Sequence, residues 1–137
     1  MKMSEYQNKS FYAVQGHESL KDAVSHWAVG LTEEAGEVNG CVKHKFFNYE
    51  DIPLVRFAEE LGDILWYIAA MCSELGLDMD VVAELNVAKN RYKYPDGKFD
   101  PERSAQRHEN YAKFQDTQEY ADIVSRMMIG EDCHYTV

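Results

Sequence analysis

The chain has 137 residues, enough for one domain with a hydrophobic core and too few for two. Its composition, 45% hydrophobic and 28% charged, is that of a globular protein and excludes a disordered or fibrous one. The net charge of −10 argues against binding to nucleic acid or anionic membranes, and the apolar run 64–72 is too short to cross a bilayer. With three cysteines, no CxxC pair and no apolar leader, we expect a cytoplasmic protein without disulfides.

The first half of the chain predicts two helices, because apolar residues recur there at intervals of three and four. A short amphipathic helix is expected over residues 4–15, closed by Gly16, and a longer one over residues 20–46. Three glycines lie inside the longer helix: Gly30, Gly36 and Gly40. Each costs up to about 1 kcal/mol relative to alanine, and helical glycines are often kept where another helix packs closely.

A third helix follows a turn at residues 48–53 and is expected to run from Pro53 to Leu75, where Gly76 ends it. Its segment Leu61–Cys72 is apolar on nearly every side, which is typical of a helix buried from several directions. A monomer of this length can hardly surround such a helix. We therefore expect helical hairpins that assemble into an oligomer.

The remainder of the chain continues the helical pattern. A fourth helix is predicted from a cap at Asp78 or Asp80 to about Tyr92, closed by the turn at residues 94–97. Weaker periodicity over residues 101–128 predicts one or two short helices.

These elements define an all-α fold, an antiparallel helical hairpin bundle of four to five helices that oligomerisation completes. We assign residues 1–99 to the helical domain and residues 100–137 to a polar C-terminal extension packed on it.

Two short acidic motifs carry the chemical signal, EAGE at residues 34–37 and ELGD at residues 60–63. Acids three residues apart share one face of a helix. An antiparallel hairpin centred on residues 48–49 brings Glu34 level with Asp63. The same hairpin brings Glu37 level with Glu60, and its centre falls in the turn inferred from other residues.

Four carboxylates that converge between packed helices repel one another. At an effective dielectric constant of about 20 and a separation of roughly 6 Å, each pair costs on the order of 3 kcal/mol. Protonation or bound divalent cations relieve this repulsion, and oxygen ligands suit Mg²⁺ or Mn²⁺. One acidic stripe usually faces water, but two stripes in matching register, each flanked by apolar residues, favour a metal site.

Charge is divided along the chain. Residues 31–80 contain eleven acids and three bases, whereas residues 81–94 contain one acid and three bases. Such runs are usually solvated helix faces. The alternative is a cation-binding region followed by an anion-binding one.

The two acidic motifs, in the contexts EEAGEV and EELGDILWY, and the later segment NVAKNRYKYPDGKF resemble the MazG-like all-α nucleoside triphosphate pyrophosphohydrolase superfamily. The resemblance spans roughly residues 20–99. It implies hydrolysis of a nucleoside triphosphate between the α and β phosphates to a monophosphate and pyrophosphate, in control of the nucleotide pool. It further implies Mg²⁺ as cofactor, with Mn²⁺ as a substitute, and a homodimer or a tetramer of two dimers, with no nucleic-acid or membrane partner.

Position by position, the resemblance makes four acids the metal ligands: Glu34, Glu37, Glu60 and Asp63. It makes Glu37 and Glu60 the catalytic candidates, and we expect Glu37 to accept a proton from the attacking water. It places substrate contacts at five positions: Tyr67, Asn86, Lys89, Asn90 and Arg91.

Two other functions compete with this one. The first is a noncatalytic helical dimerisation module that binds a nucleotide or a protein partner. The second is a hydrolase of another pyrophosphate-containing nucleotide. The presence of all four acids argues against the first, because a site without turnover has no need of so costly a cluster.

Overall fold

The computed structural model describes residues 1–10 and 16–129, and these residues form seven α-helices and no strand longer than one bridge. The predicted all-α class is confirmed, while the predicted end of the first helix, at residues 11–15, lies outside the described residues. The chain divides into two compact units, the first from Met1 to Leu75 and the second beginning at Gly76. The chain length predicts a single domain, and the predicted boundary between residues 99 and 100 stays a prediction.

The first unit contains helices α1 (Met3–Ser10), α2 (Leu20–Val42) and α3 (Leu54–Glu74). Ser19 caps α2, since its hydroxyl accepts a hydrogen bond from the backbone N–H of Asp22 at 3.1 Å. A π-helical segment, Lys43–Phe47, extends α2 to the predicted turn.

Helices α2 and α3 form the antiparallel pair that the sequence predicts. The Trp27 and Trp66 ring centroids lie 5.6 Å apart near the start of α2, and those of Phe46 and Phe57 lie 6.4 Å apart at the other end. The order of these contacts reverses along α3. The pair encloses a core whose buried members are Ala23, Trp27 and Ala70.

Helices α2 and α3 approach each other closely at Gly30. A Cβ atom added there would lie 2.1 Å from Cε1 of Tyr67, so the tyrosine ring rests directly on the α2 backbone. The predicted close packing is confirmed at Gly30. It is not found at Gly36 or Gly40, where an added Cβ meets nothing within 4 Å among the described residues.

Burial of α3 is uneven along its apolar stretch. Ala69 and Ala70 are fully buried, whereas Leu61 is exposed. Earlier in the helix, Leu54 is 73% and Val55 58% exposed. A single chain therefore leaves one side of this apolar helix uncovered.

The second unit is built on α4 (Met79–Lys93), followed by α5 (Pro101–Ala105), α6 (Arg107–Gln115) and α7 (Gln118–Val124). The carboxylate of Asp78 caps α4 by accepting from the N–H of Asp80 at 2.8 Å, as predicted. Three short helices follow where one or two are predicted, which raises the number of described helices above the predicted four to five.

Helices α6 and α7 pack on α4 around four buried residues: Val81, Ala88, Phe114 and Ile123. Ion pairs reinforce the contact with α7, because both guanidinium Nη atoms of Arg126, just beyond that helix, donate to the carboxylate of Glu84, the shorter at 2.8 Å. Within the described ranges, no helix has both the length and the apolarity needed to span a bilayer.

Candidate metal site

Three carboxylates of the first unit converge where α2 and α3 pack. Glu34 lies on α2, and Glu60 and Asp63 lie one turn apart on α3. One oxygen of each carboxylate lies within 4.8 Å of the corresponding oxygens of the other two. The acids on α3 face one side of their helix because they are three residues apart, and antiparallel packing places Glu34 opposite them.

Glu60 is the most buried of the three, with 5% of its surface exposed. Its Oε1 accepts a hydrogen bond of 2.5 Å from Nη2 of Arg56, one turn earlier, and Nη1 of Arg56 donates to Glu59 at 3.0 Å. A buried carboxylate is costly without a partner, so this ion pair supports the site. Arg56 is absent from the residues selected by sequence, although its spacing of four from Glu60 is the signal for a helical ion pair.

The electrostatics of the cluster follow from crowded negative charge. Burial raises the pKa of Glu34 above its ordinary value, and the charge of Asp63 raises it further, followed by those of Glu33 and Glu60. The surroundings of Glu34 therefore disfavour its ionised form. A cation among these oxygens relieves that strain.

Glu37 stands apart from the other acids. It is exposed and is not one of the three converging residues, and its charge is the smallest contribution to the raised pKa of Glu34. Successive helical residues turn by about 100°, so Glu37 lies about 60° around α2 from Glu34. Its part in a metal site stays a prediction.

The donor set fits a hard divalent cation. Each of the three clustered residues offers carboxylate oxygen, the ligand that Mg²⁺ and Mn²⁺ prefer. One donor is buried and Asp63 is exposed, so the cluster opens to solvent on one side. Such an arrangement can hold an ion and still admit a ligand from solution.

Tyr67 lies one turn beyond Asp63 on α3. Its pKa is raised by burial and then by the charges of Glu34, Glu33 and Asp63. Its ring packs between Gly30 and Trp66, whose ring centroid is 5.0 Å away. As a substrate contact Tyr67 stays a prediction.

The four other predicted substrate contacts lie on α4 in the second unit. Nδ2 of Asn90 donates to Oδ1 of Asn86 at 2.9 Å, and the guanidinium of Arg91 forms an ion pair with Glu119 on α7. Lys89 is partly buried and forms no ion pair within the described ranges. Their proposed contact with a substrate stays a prediction.

Comparison with known proteins identifies the family of the chain. The sequence model of the MazG nucleotide pyrophosphohydrolase domain family matches residues 16–98. This range contains α2, α3 and α4. The Gene 37 protein of Mycobacterium phage L5 is 30% identical over 73 residues, which cover 50% of this chain and 63% of that protein. No solved structure matches the chain. Because the family match includes both helices that carry the clustered carboxylates, the chain belongs to the MazG nucleotide pyrophosphohydrolase domain family.

Proposed function

We propose that the chain hydrolyses a nucleoside triphosphate between the α and β phosphates, consuming one water and releasing a nucleoside monophosphate and pyrophosphate. The observation that carries the proposal is the cluster of Glu34, Glu60 and Asp63 within 4.8 Å, in a chain of the MazG family. Control of the nucleotide pool is the role we infer for this reaction in the cell.

In this proposal Mg²⁺, or Mn²⁺ in its place, is held by the three clustered carboxylates with Glu37 as a further ligand. Phosphoanhydride cleavage depends more on positioning and charge neutralisation than on covalent chemistry. When bound, the cation supplies the positive charge that offsets the phosphate oxygens. Glu60 is fixed by Arg56, so its carboxylate is already oriented.

Glu37 is assigned the proton from the attacking water. It is exposed and one turn from Glu34, which leaves its carboxylate open to a water molecule. Substrate contacts are assigned to five residues: Tyr67, Asn86, Lys89, Asn90 and Arg91. The amides of Asn86 and Asn90 and the cations of Lys89 and Arg91 suit the oxygens of sugar and phosphate.

A panel of nucleoside triphosphates and Mg²⁺ tests the reaction. We expect pyrophosphate and the monophosphate as the first products, with activity lost on chelation of the cation. Orthophosphate as the first product would contradict cleavage between α and β. No product from any nucleotide would favour the noncatalytic binding module instead.

The change Asp63→Asn tests the cluster. It keeps the size of the side chain and removes one of the converging charges, so we expect turnover to fall by about 10²–10³-fold. The helical circular dichroism should persist. Glu74→Gln on the same helix, outside the cluster, is the matched control and should retain activity; equal loss in both variants would contradict the assignment.

We further propose that the active form is a homodimer, or a tetramer of two dimers, in which a second copy covers the exposed side of α3. Support comes from Leu54, Val55 and Leu61, three large apolar side chains of one helix that a single chain leaves exposed. Contiguous apolar surface of this kind is typical of interfaces between copies.

A further inference from the structure

A cavity of about 290 Å³ lies between α4 and α6 in the second unit. Its volume is near the lower end of the range for small-molecule sites. The residues that line it are Lys89, Asn90, Lys93, Arg107, His108, Asn110 and Tyr111. Those from α6 lie beyond residues 16–98, the range that the family model matches.

The lining is cationic although the chain has a net charge of −10. Lys89 and Lys93 come from α4 and Arg107 from α6, and among the described residues no Asp or Glu lines the cavity. An anion is the ligand that three cationic side chains around one cavity suit.

Arg107 differs from the other arginines of the second unit. Arg91 is paired with Glu119, Arg126 with Glu84, and Arg103 donates to the backbone carbonyl of Lys93. Within the described ranges, the guanidinium of Arg107 has no carboxylate within ion-pair distance and no hydrogen-bond acceptor. Its donors are free for a ligand in the cavity.

The remaining wall is suited to an organic anion. Tyr111 is 37% exposed, and its ring offers a surface for stacking or apolar contact. Nδ2 of Asn110 donates to the carbonyl of Arg103 at 3.0 Å, which fixes its amide beside the cations. Charged donors next to an aromatic face are the combination that a phosphorylated ligand needs.

We propose that this cavity binds the phosphate chain of a nucleotide, with Arg107 as the principal anchor and Lys89 and Lys93 as flanking charges. The identity of the ligand as a nucleotide rests on the proposed function, whereas binding of a phosphate chain does not. Arg107 on α6, beyond the matched range, would then act together with Lys89 and Lys93 on α4, which lie inside it.

Titration of the full-length chain with inorganic pyrophosphate, in low salt and without divalent cations, tests the proposal by calorimetry. Omitting the cations keeps the anion from the acidic cluster. Loss of charge-assisted hydrogen bonds in Arg107→Gln should weaken binding by about tenfold. Lys113→Gln on the same helix removes an equal charge outside the cavity and should leave the affinity within about twofold.

Equal affinity in wild type and Arg107→Gln would overturn the proposal, and so would an equal loss in both variants. Circular dichroism of each variant checks that α6 remains folded. Lys89→Gln is a second variant from the opposite wall and should also weaken binding.

The Michaelis constant for the triphosphate then distinguishes the two sources of phosphate. If the substrate's own chain occupies the cavity, Arg107→Gln raises KM and pyrophosphate competes with substrate. If a free phosphate compound occupies it, KM is unchanged although pyrophosphate binding still falls. A wild-type chain that binds pyrophosphate but hydrolyses no nucleotide would contradict the proposed function and leave the anion site supported.

Discussion

Glu34 holds its proton more tightly in the folded chain than in the unfolded one, because burial and the nearby charge of Asp63 raise its pKa above the ordinary value of 4.5. Its stabilising contribution is therefore complete below the unfolded pKa and is lost as the pH rises through the folded pKa. At neutral pH the ionised residue destabilises the cation-free fold.

We accordingly expect Glu34→Gln, which cannot ionise, to melt at a higher temperature than wild type at pH 7 in a chelator. The difference should shrink as the pH falls through and below 4.5, because Glu34 of wild type then takes up its proton in the unfolded state as well. Thermal melts of both proteins across this range measure it. A difference that does not change with pH would contradict the origin in charge.

Arg56 is a second residue at which substitution tests how charge contributes to the stability of the site. Its guanidinium is the hydrogen-bonded partner of the buried Glu60 carboxylate, so Arg56→Gln should cost about 1–3 kcal/mol in the absence of cations. Mg²⁺ should then raise the melting temperature of the variant more than that of wild type, since the ion replaces the lost positive charge. A smaller Mg²⁺ effect in the variant would contradict this and would show that Arg56 orients the Glu60 carboxylate for the cation.

At this scale, symmetry and spacing account for most of the site. The hairpin centre inferred from the turn places Glu34 beside Asp63, as found, because pairing across two antiparallel helices needs only residue numbers. The same centre also places Glu37 level with Glu60, yet Glu37 is not one of the converging residues. Residue numbers fix the level along the helices, whereas the direction of a side chain also depends on how the helices rotate against each other. The contact between Gly30 and Tyr67 is one example of such packing between residues on different helices.

At the scale of elements, the three glycines of α2 differ in their surroundings: Gly30 contacts α3 closely, whereas Gly36 and Gly40 are open. Gly30→Ala would place a methyl group 2.1 Å from the Tyr67 ring, and a ring cannot yield as a flexible chain end can. We expect a loss of about 1–3 kcal/mol in the free energy of unfolding. Denaturant titration of wild type and variant measures it.

Gly36→Ala is the internal control for that experiment. The position is exposed and an added Cβ meets nothing within 4 Å among the described residues, so the gain in helix propensity should stabilise the fold by about 0.5–1 kcal/mol. Two Gly→Ala changes in one helix should therefore have opposite signs. Equal signs would contradict the close approach at Gly30.

Element boundaries follow closely from local chemistry where a cap or breaker is present. Ser19, Asp78 and Gly76 all mark helix ends that the structure contains. The three helices after residue 100 are less evident because each is short and has few apolar residues. Their caps are local, as when Asp100 accepts from the N–H groups of Glu102 and Arg103.

At the scale of the whole molecule, the division into two units is the feature that length and composition do not predict. Clustering of contacts depends on tertiary packing, and composition averages over it. In the apolar segment Leu61–Cys72, Leu61 is exposed while Ala69 and Ala70 are buried, and the exposed Leu54 and Val55 precede that segment. Assembly into an oligomer stays a prediction.

Val55→Asp tests self-association. Val55 is 58% exposed in the single chain, so the change should have little effect on a monomer, whereas an unpaired carboxylate buried between two copies is costly. We expect light scattering after gel filtration to report a smaller species than wild type. The exposed Val87→Asp on α4 is a control, and equal dissociation by both changes would contradict an interface at α3.

The ring of Tyr67 packs directly on the backbone of Gly30. We therefore expect the ring to flip only when α2 and α3 move apart. The ring-flip rate of Tyr67, measured by nuclear magnetic resonance, therefore reports the rate at which the hairpin opens. The converging carboxylates are divided between these two helices, so the same rate reports how often Glu34 separates from Glu60 and Asp63.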